Sequence, residues 1–251
     1  MAAEISRRDF VKGLACAFGM LSFPQARSRL FGARTYLDVP FLFQHHTLSC
    51  EIAALRMAAR YFGIAWGEDE LLRRMPAEHT QPESVGGQVV WADPNQVFPG
   101  NVNGWQLYRR GVHEHPERAR QRLWGYGIHA PVIANLATQI GLRAEILQDV
   151  REIYDSIDHG RVPIVIVPDG GLAEAVLWEW FTPAGWPVRV MNREHSVVVK
   201  GYNAERVWVN DPKGKVSHYD RAAFERAFSL LRSGVAIGWG FGMGPSRHFA
   251  L

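Results

Sequence analysis

The sequence predicts an α+β fold, in which a helical N-terminal part packs on an antiparallel sheet with a cleft between them. Three observations carry that prediction. Apolar residues recur at helical spacing just after position 50, with Ile52, Leu55, Ala59 and Phe62 on one face. Pro163-Ile164-Val165-Ile166-Val167 is a continuous apolar run, as in strands buried on both faces. Two β-rich runs, 195–200 and 206–210, flank the turn-like Gly201-Tyr202-Asn203-Ala204-Glu205 and read as a hairpin.

The first element, residues 1–26, sets Ser6-Arg7-Arg8-Asp9-Phe10-Val11-Lys12 before an apolar run from Gly13 to Phe23. That order resembles a twin-arginine export signal. The run is shorter than the roughly 20 apolar residues a membrane-spanning helix needs. An amphipathic first helix is the plain alternative. Cleavage after Ala26 leaves 27–251 as one domain, periplasmic or extracellular, with no stable membrane insertion. Cys16 leaves with the signal, so Cys50 has no disulfide mate despite an oxidising destination.

A short edge strand is expected over 36–43, with Pro40 inside it. Ser49 is positioned to cap a helix running to Phe62, and Gly63 ends it. A second helix covers 67–75. Residues 76–127 are rich in Pro, Gly, Asn and His, so they wrap the core or form cleft walls. Pro131 opens a helix and Gly141 follows its end. Another helix spans 150–158 and leads into the strand at 163–167. Residues 169–194 are an aromatic- and Pro-rich insertion. After the hairpin, Asp220 caps a helix through Leu231, with Phe224, Phe228 and Leu231 inward, and a strand over 235–239 closes the fold.

Composition narrows the function. The formal charge of +3 falls to +2 on loss of the signal, because Arg7, Arg8 and Lys12 leave with Glu4 and Asp9. Such a balance marks no nucleic-acid or membrane surface. No Gly-rich phosphate loop followed by Lys-Ser/Thr occurs. The nine tryptophans suit aromatic-lined clefts or, more plainly, a core.

Cys50 stands where a polar loop, Gln44-His45-His46-Thr47-Leu48-Ser49, gives way to the helix. A thiol at a helix N-terminus meets unpaired N–H groups and the positive end of the dipole, which favour thiolate. The hairpin centre near Asn203 sets His195 opposite Asp211 or one step off, within reach of a hydrogen bond. Cys50, His195 and Asp211 then have the roles of nucleophile, base and orienter. Gln44 supplies an N–H for an oxyanion, beside the backbone N–H of Cys50. The bland readings are a buried apolar cysteine, a satisfied histidine, an Asn-Asp-Pro turn and a glutamine bonded within its own loop. His45-His46 with Cys50, or His113 with His115, lack the three or four ligands a zinc site needs, so no metal and no cofactor are expected.

These blocks resemble the C39-like branch of the papain-type cysteine peptidases. The first block is Val39-Pro40, Gln44, Cys50-Glu51 and Tyr61-Phe62-Gly63. The middle block is Asp93-Pro94-Asn95 with Phe98, Gly100-Asn101-Val102-Asn103-Gly104 and Gly125-Tyr126-Gly127-Ile128. The last is His195-Ser196-Val197-Val198-Val199 with Gly201-Tyr202, then Asn210-Asp211-Pro212.

The resemblance implies a papain-like cysteine peptidase fold, with Cys50 as nucleophile, His195 as base, Asp211 as orienter and Gln44 as oxyanion residue. The partner implied is a peptide or protein substrate, and a monomer is expected. Family members fused to transporters cut leader peptides after double glycine. This chain shows no transporter or ATPase module, so that substrate does not carry over. Glu51 stands where many members have glycine; it suits the helix dipole while opposing thiolate or shaping the cleft. The alternatives are a papain-like acyltransferase and a non-catalytic peptide-binding module.

Overall fold

The computed structural model describes residues 35–107, 123–169, 172 and 176–240. The expected signal over 1–26 and the pair His113 and His115 lie outside them.

The helices are α1 (Cys50–Tyr61), α2 (Glu68–Arg74), α3 (Ala130–Gln139), α4 (Val150–Asp158) and α5 (Arg221–Leu231). α1 ends where Phe62 closes the last turn and Gly63 takes φ +77°, a left-handed conformation that favours glycine. Its buried face carries Ile52, Ala54, Leu55, Met57 and Ala58, packed on the main sheet. Each large apolar side chain buried there contributes about 1.5–3 kcal/mol relative to exposure. α4 opens with a capping box, in which Asp149 accepts from the Arg151 N–H and Glu152 reaches back to the N-cap amide.

That sheet is antiparallel, with β1 (Thr35–Tyr36), β8 (Leu142–Leu147), β9 (Val162–Pro168), β12 (Glu194–Tyr202), β13 (Arg206–Asn210), β14 (His218–Asp220) and β15 (Gly234–Trp239). The order is β14-β13-β12-β9-β15-β8, and β1 also pairs with β12. β9 is buried along its whole length, as its apolar run predicts. Two differences from expectation have simple causes. The first strand stops at Tyr36, because the chain then holds on to the sheet by single bonds such as the Leu37 N–H to the Lys200 carbonyl (2.6 Å). β8 was not expected: it lies at the sheet edge, and its central residues are exposed or half-buried, so no buried stripe marks it.

The two Pro-rich stretches build a second layer together. Residues 76–127 contribute β2 (Ala77–Glu78), β3 (Glu83–Val85), β4 (Gln88–Val90), β5 (Phe98–Pro99), β6 (Trp105–Gln106) and β7 (Trp124–Gly125). The 169–194 insertion is a hairpin of β10 (Leu177–Phe181) and β11 (Pro187–Met191), and β10 runs parallel to β4 to give the order β11-β10-β4-β3. Trp178, Trp180, Val188 and Val190 point inward and join Trp91, Trp124 and Tyr126 in a separate aromatic core. Core packing is thus the use of four tryptophans, while Trp105 and Trp186 are exposed. Among the described residues no helix is long and apolar enough to cross a membrane.

Candidate active site

The nucleophile loop is fastened from below by Glu68, the first residue of α2. Its buried carboxylate accepts from the His45 N–H (2.8 Å), the Ser49 hydroxyl (2.6 Å) and the Arg56 guanidinium of α1 (2.6 Å). Ser49 therefore does not cap α1 with its side chain as expected, since Glu68 holds that hydroxyl. The loop is also tied across the site, because the Gln44 N–H donates to the Pro212 carbonyl (3.1 Å) and the Leu48 N–H to Val102 (2.8 Å).

Gln44 lies at this site, but its side chain faces its own loop. The amide Nε2 donates to the carbonyls of His46 (2.8 Å) and Thr47 (2.9 Å). Those bonds use both amide hydrogens, and the buried Oε1 has no partner among the described residues. As it stands the side chain offers no free N–H to an oxyanion, and the first-turn amide of Cys50 is the donor without an intrahelical carbonyl.

His195 and Asp211 meet, by a different register from the expected one. β12 and β13 pair Val198 with Asn210 and Val199 with Val209, and the ladder slips by one between Val199 and Gly201. Continued three residues back from Val198, that register sets His195 opposite position 213, not 211. His195 is central in the sheet, paired on its other side with Val167. Asp211, just past β13, reaches it diagonally, and Nε2 donates to Oδ1 at 2.7 Å with both side chains buried. A carboxylate only accepts, so Nε2 carries a hydrogen; Nδ1, which presents a lone pair in the neutral ring, is buried and without a partner among the described residues.

Asp211 also accepts the backbone N–H groups of Lys213 (2.8 Å), Lys215 (3.2 Å) and Val216 (3.1 Å). Burial opposes its charge, but the His195 hydrogen bond and charge, with these amides, outweigh it and hold the carboxyl below its usual range.

Cys50 is buried, and its thiol donates to Glu51 Oε2 at 3.3 Å. Burial pushes the thiol well above its ordinary range, and the Glu51 and Glu194 carboxyls add to that. The Lys213 ammonium and the Ser196 backbone N–H pull the other way. Ser196 follows His195, so the sulfur lies against the strand that carries the base. Cys50, Glu51 and Glu194 offer three ligand-type atoms within 4.8 Å of one another. His46, by contrast, has both ring nitrogens engaged, with Asp69 Oδ1 (2.7 Å) and Asn103 Oδ1 (3.2 Å).

His195 and Asp211 thus meet directly and Cys50 lies against the strand that carries His195, whereas Gln44 reaches the site through its backbone bond to Pro212 and not through its side chain. Two residues that shape the site escaped the sequence reading, Glu68 and Glu194. Glu194 directly precedes the base and Glu51 directly follows the nucleophile, a placement that marks both once the helix is set against the strand.

Residues 36–235 match the Peptidase C39-like family. The chain is 26% identical over 205 residues to the uncharacterised protein YvpB of Bacillus subtilis (strain 168), covering 80% of this chain and 71% of that protein. Its fold is similar to the crystal structure of a putative C39-like peptidase from Bacillus anthracis. That match has a TM-score of 0.63 at 22% identity, covering 81% of this chain and 96% of the other. The peptidase domain of Streptococcus ComA, at TM-score 0.45 and 14% identity, covers 80% of this chain and 98% of its own.

Proposed function

This chain belongs to the Peptidase C39-like family, and we propose from that premise that it is a cysteine-type hydrolase of a peptide or amide bond. One observation carries the reading: the buried His195–Asp211 pair engages Nε2 and leaves Nδ1 without a partner among the described residues, on the strand against which the Cys50 sulfur lies. Asp211 fixes the tautomer, as the orienter of a triad must.

In the proposed reaction His195 Nδ1 takes the proton of Cys50 and Sγ attacks the scissile carbonyl carbon. The Cys50 N–H receives the oxyanion, joined by Gln44 once its amide releases a loop carbonyl. The leaving amine takes the proton back from Nδ1. Water, activated by the same nitrogen, then releases the acyl group from sulfur.

A second reading has one observation in its favour: the thiol rests on Glu51, and Gln44 on its own loop, as suits a peptide-binding module without turnover. Covalent labelling with a thiol-directed amide-mimic inhibitor separates the two. A hydrolase gives fast labelling of Cys50 that collapses in His195→Ala, and Cys50→Ala abolishes both labelling and hydrolysis. Slow labelling indifferent to His195→Ala sinks the hydrolase reading.

The proposal extends to export by the twin-arginine route, supported by Arg7-Arg8 before a short apolar run. Replacing both arginines with lysine is expected to leave unprocessed chain in the cytoplasm; normal processing of that variant sinks the route.

A further inference from the structure

Glu51 and Glu194 are both buried, at 1% exposure each, although unpaired buried carboxylates are strongly disfavoured. They sit on opposite elements, Glu51 on α1 beside Cys50 and Glu194 on β12 beside His195. Gly127 lies between them, and a Cβ there would overlap a carboxyl oxygen of each. Glu51 is well supplied with donors: the Ile128 N–H at 2.7 Å on Oε1 and the Cys50 thiol at 3.3 Å on Oε2. Among the described residues neither oxygen of Glu194 has a hydrogen-bond partner. Two carboxylates cannot hydrogen-bond to each other, but they lie within hydrogen-bonding reach. One proton on Glu194 satisfies it and gives Glu51 another donor.

We propose that protonated Glu194 and ionised Glu51 form a shared-proton clamp that docks the nucleophile's helix onto the base's strand and holds the Cys50 S–H turned toward Glu51. Both are positioning residues for the hydrolysis proposed above, on which this inference rests. Turnover then requires the S–H to turn from Glu51 to His195 Nδ1, which takes its proton. The charged and titratable groups facing the pair are Cys50 from α1, Tyr126 from the segment before α3, and Lys213 from beyond β13, itself paired with Asp169 at 2.8 Å.

Burial, then the Glu51 charge, push the Glu194 carboxyl well above its ordinary value of 4.5. For a carboxyl raised in the folded state, the stabilisation is complete below the unfolded value. It is lost as pH rises through the folded one.

The test uses the purified chain and needs no turnover, so its failure is distinct from failure of the hydrolase reading. At neutral pH wild type should show the infrared carbonyl stretch of a protonated carboxylic acid, absent in Glu194→Gln. That variant keeps a neutral donor to Glu51, so it should retain stability and lose the decline at high pH. Glu194→Ala, which removes the donor, should be less stable at every pH. Glu51→Gln keeps an oxygen for the Ile128 N–H, puts an NH₂ in place of the oxygen that accepts the thiol and removes the charge, and thiol-probe labelling of Cys50 at neutral pH should rise at least about tenfold, equivalent to one pKa unit. Absence of the acid band in wild type, or equal stability of the Gln and Ala variants, overturns the clamp. So does a stoichiometric divalent cation found by elemental mass spectrometry on wild type and missing from Glu194→Gln, since a cation would then do what the proton is proposed to do.

Discussion

The two walls of the site treat their polar groups in opposite ways. On the helix wall three side chains turn to neighbours on or near that wall: Cys50 to Glu51, Gln44 to His46 and Thr47, Ser49 to Glu68. On the sheet wall the polar groups converge on Asp211, which accepts one imidazole and three amide N–H groups and leaves His195 Nδ1 open. In the proposed reaction His195 is therefore preorganised for work on something outside its own wall, whereas Cys50 and Gln44 must first give up bonds they already have. A substrate carbonyl that competes for those bonds would couple binding to the release of the thiol.

The sharpest way to break that contrast is Asp211→Asn. An amide keeps the shape of the carboxyl but can turn an NH₂ toward Nε2, favouring the tautomer that closes Nδ1. The expected loss in kcat is about 10,000-fold, measured on any cleaved substrate or as the rate of active-site labelling. A loss below about tenfold would mean the sheet wall is not the preorganised half. Glu68→Ala attacks the other wall. It leaves Arg56 buried without its partner and frees the Ser49 hydroxyl and the His45 amide, for an expected loss of about 3–5 kcal/mol in unfolding free energy. Chemical denaturation would measure it. A small loss would mean the helix wall is held by packing alone.

The same contrast explains what could be read from residue order. Ile52, Leu55, Ala59, Phe62 and Gly63 specify α1 locally, and the run at 163–167 specifies a buried strand, because each signal lies within one element. The His195–Asp211 contact was visible as a short-range hairpin pairing. Its register was not, because the turn is centred between Ala204 and Glu205, with Tyr202 paired to Val207, and not at Asn203, which moves the contact to the diagonal. The β10–β11 hairpin hid behind Pro and Gly, and its partner β4 lies some ninety residues earlier in the chain. Glu68 and Glu194 were the least legible. A charged side chain reads as surface until a distant guanidinium, hydroxyl or second carboxyl is known to face it.

Gln44 tests whether the helix wall opens. Gln44→Ala removes two side chain–backbone hydrogen bonds, worth about 1–2 kcal/mol of stability together. If the amide joins the oxyanion site during the reaction, kcat should also fall about 100- to 1,000-fold. Loss of stability with kcat unchanged would leave Gln44 as a loop brace and the Cys50 N–H as the donor that matters.

The last effect lies beneath the helix wall, at His129, and it is read through pH. This residue precedes α3, next to the Ile128 amide that holds Glu51, with its ring edge against Tyr126 and Nδ1 3.2 Å from Asn95 Oδ1. Burial drives its imidazole down from 6.5 to about 4. As pH falls below 6.5, the unfolded chain binds a proton that the buried ring refuses until about pH 4. The contribution is therefore complete above pH 6.5 and lost on the way down, amounting to about 3 kcal/mol across that window. His129→Phe keeps the ring and removes the titration. The difference between wild-type and variant unfolding free energies should shift by that amount between pH 7 and pH 4, in favour of the variant at the acid end. Asp211, held below its ordinary 3.8, loses its contribution only at lower pH and stays out of the window. A difference that does not move with pH would mean that the ring gains a proton without cost, and that the floor under Glu51 is open to water.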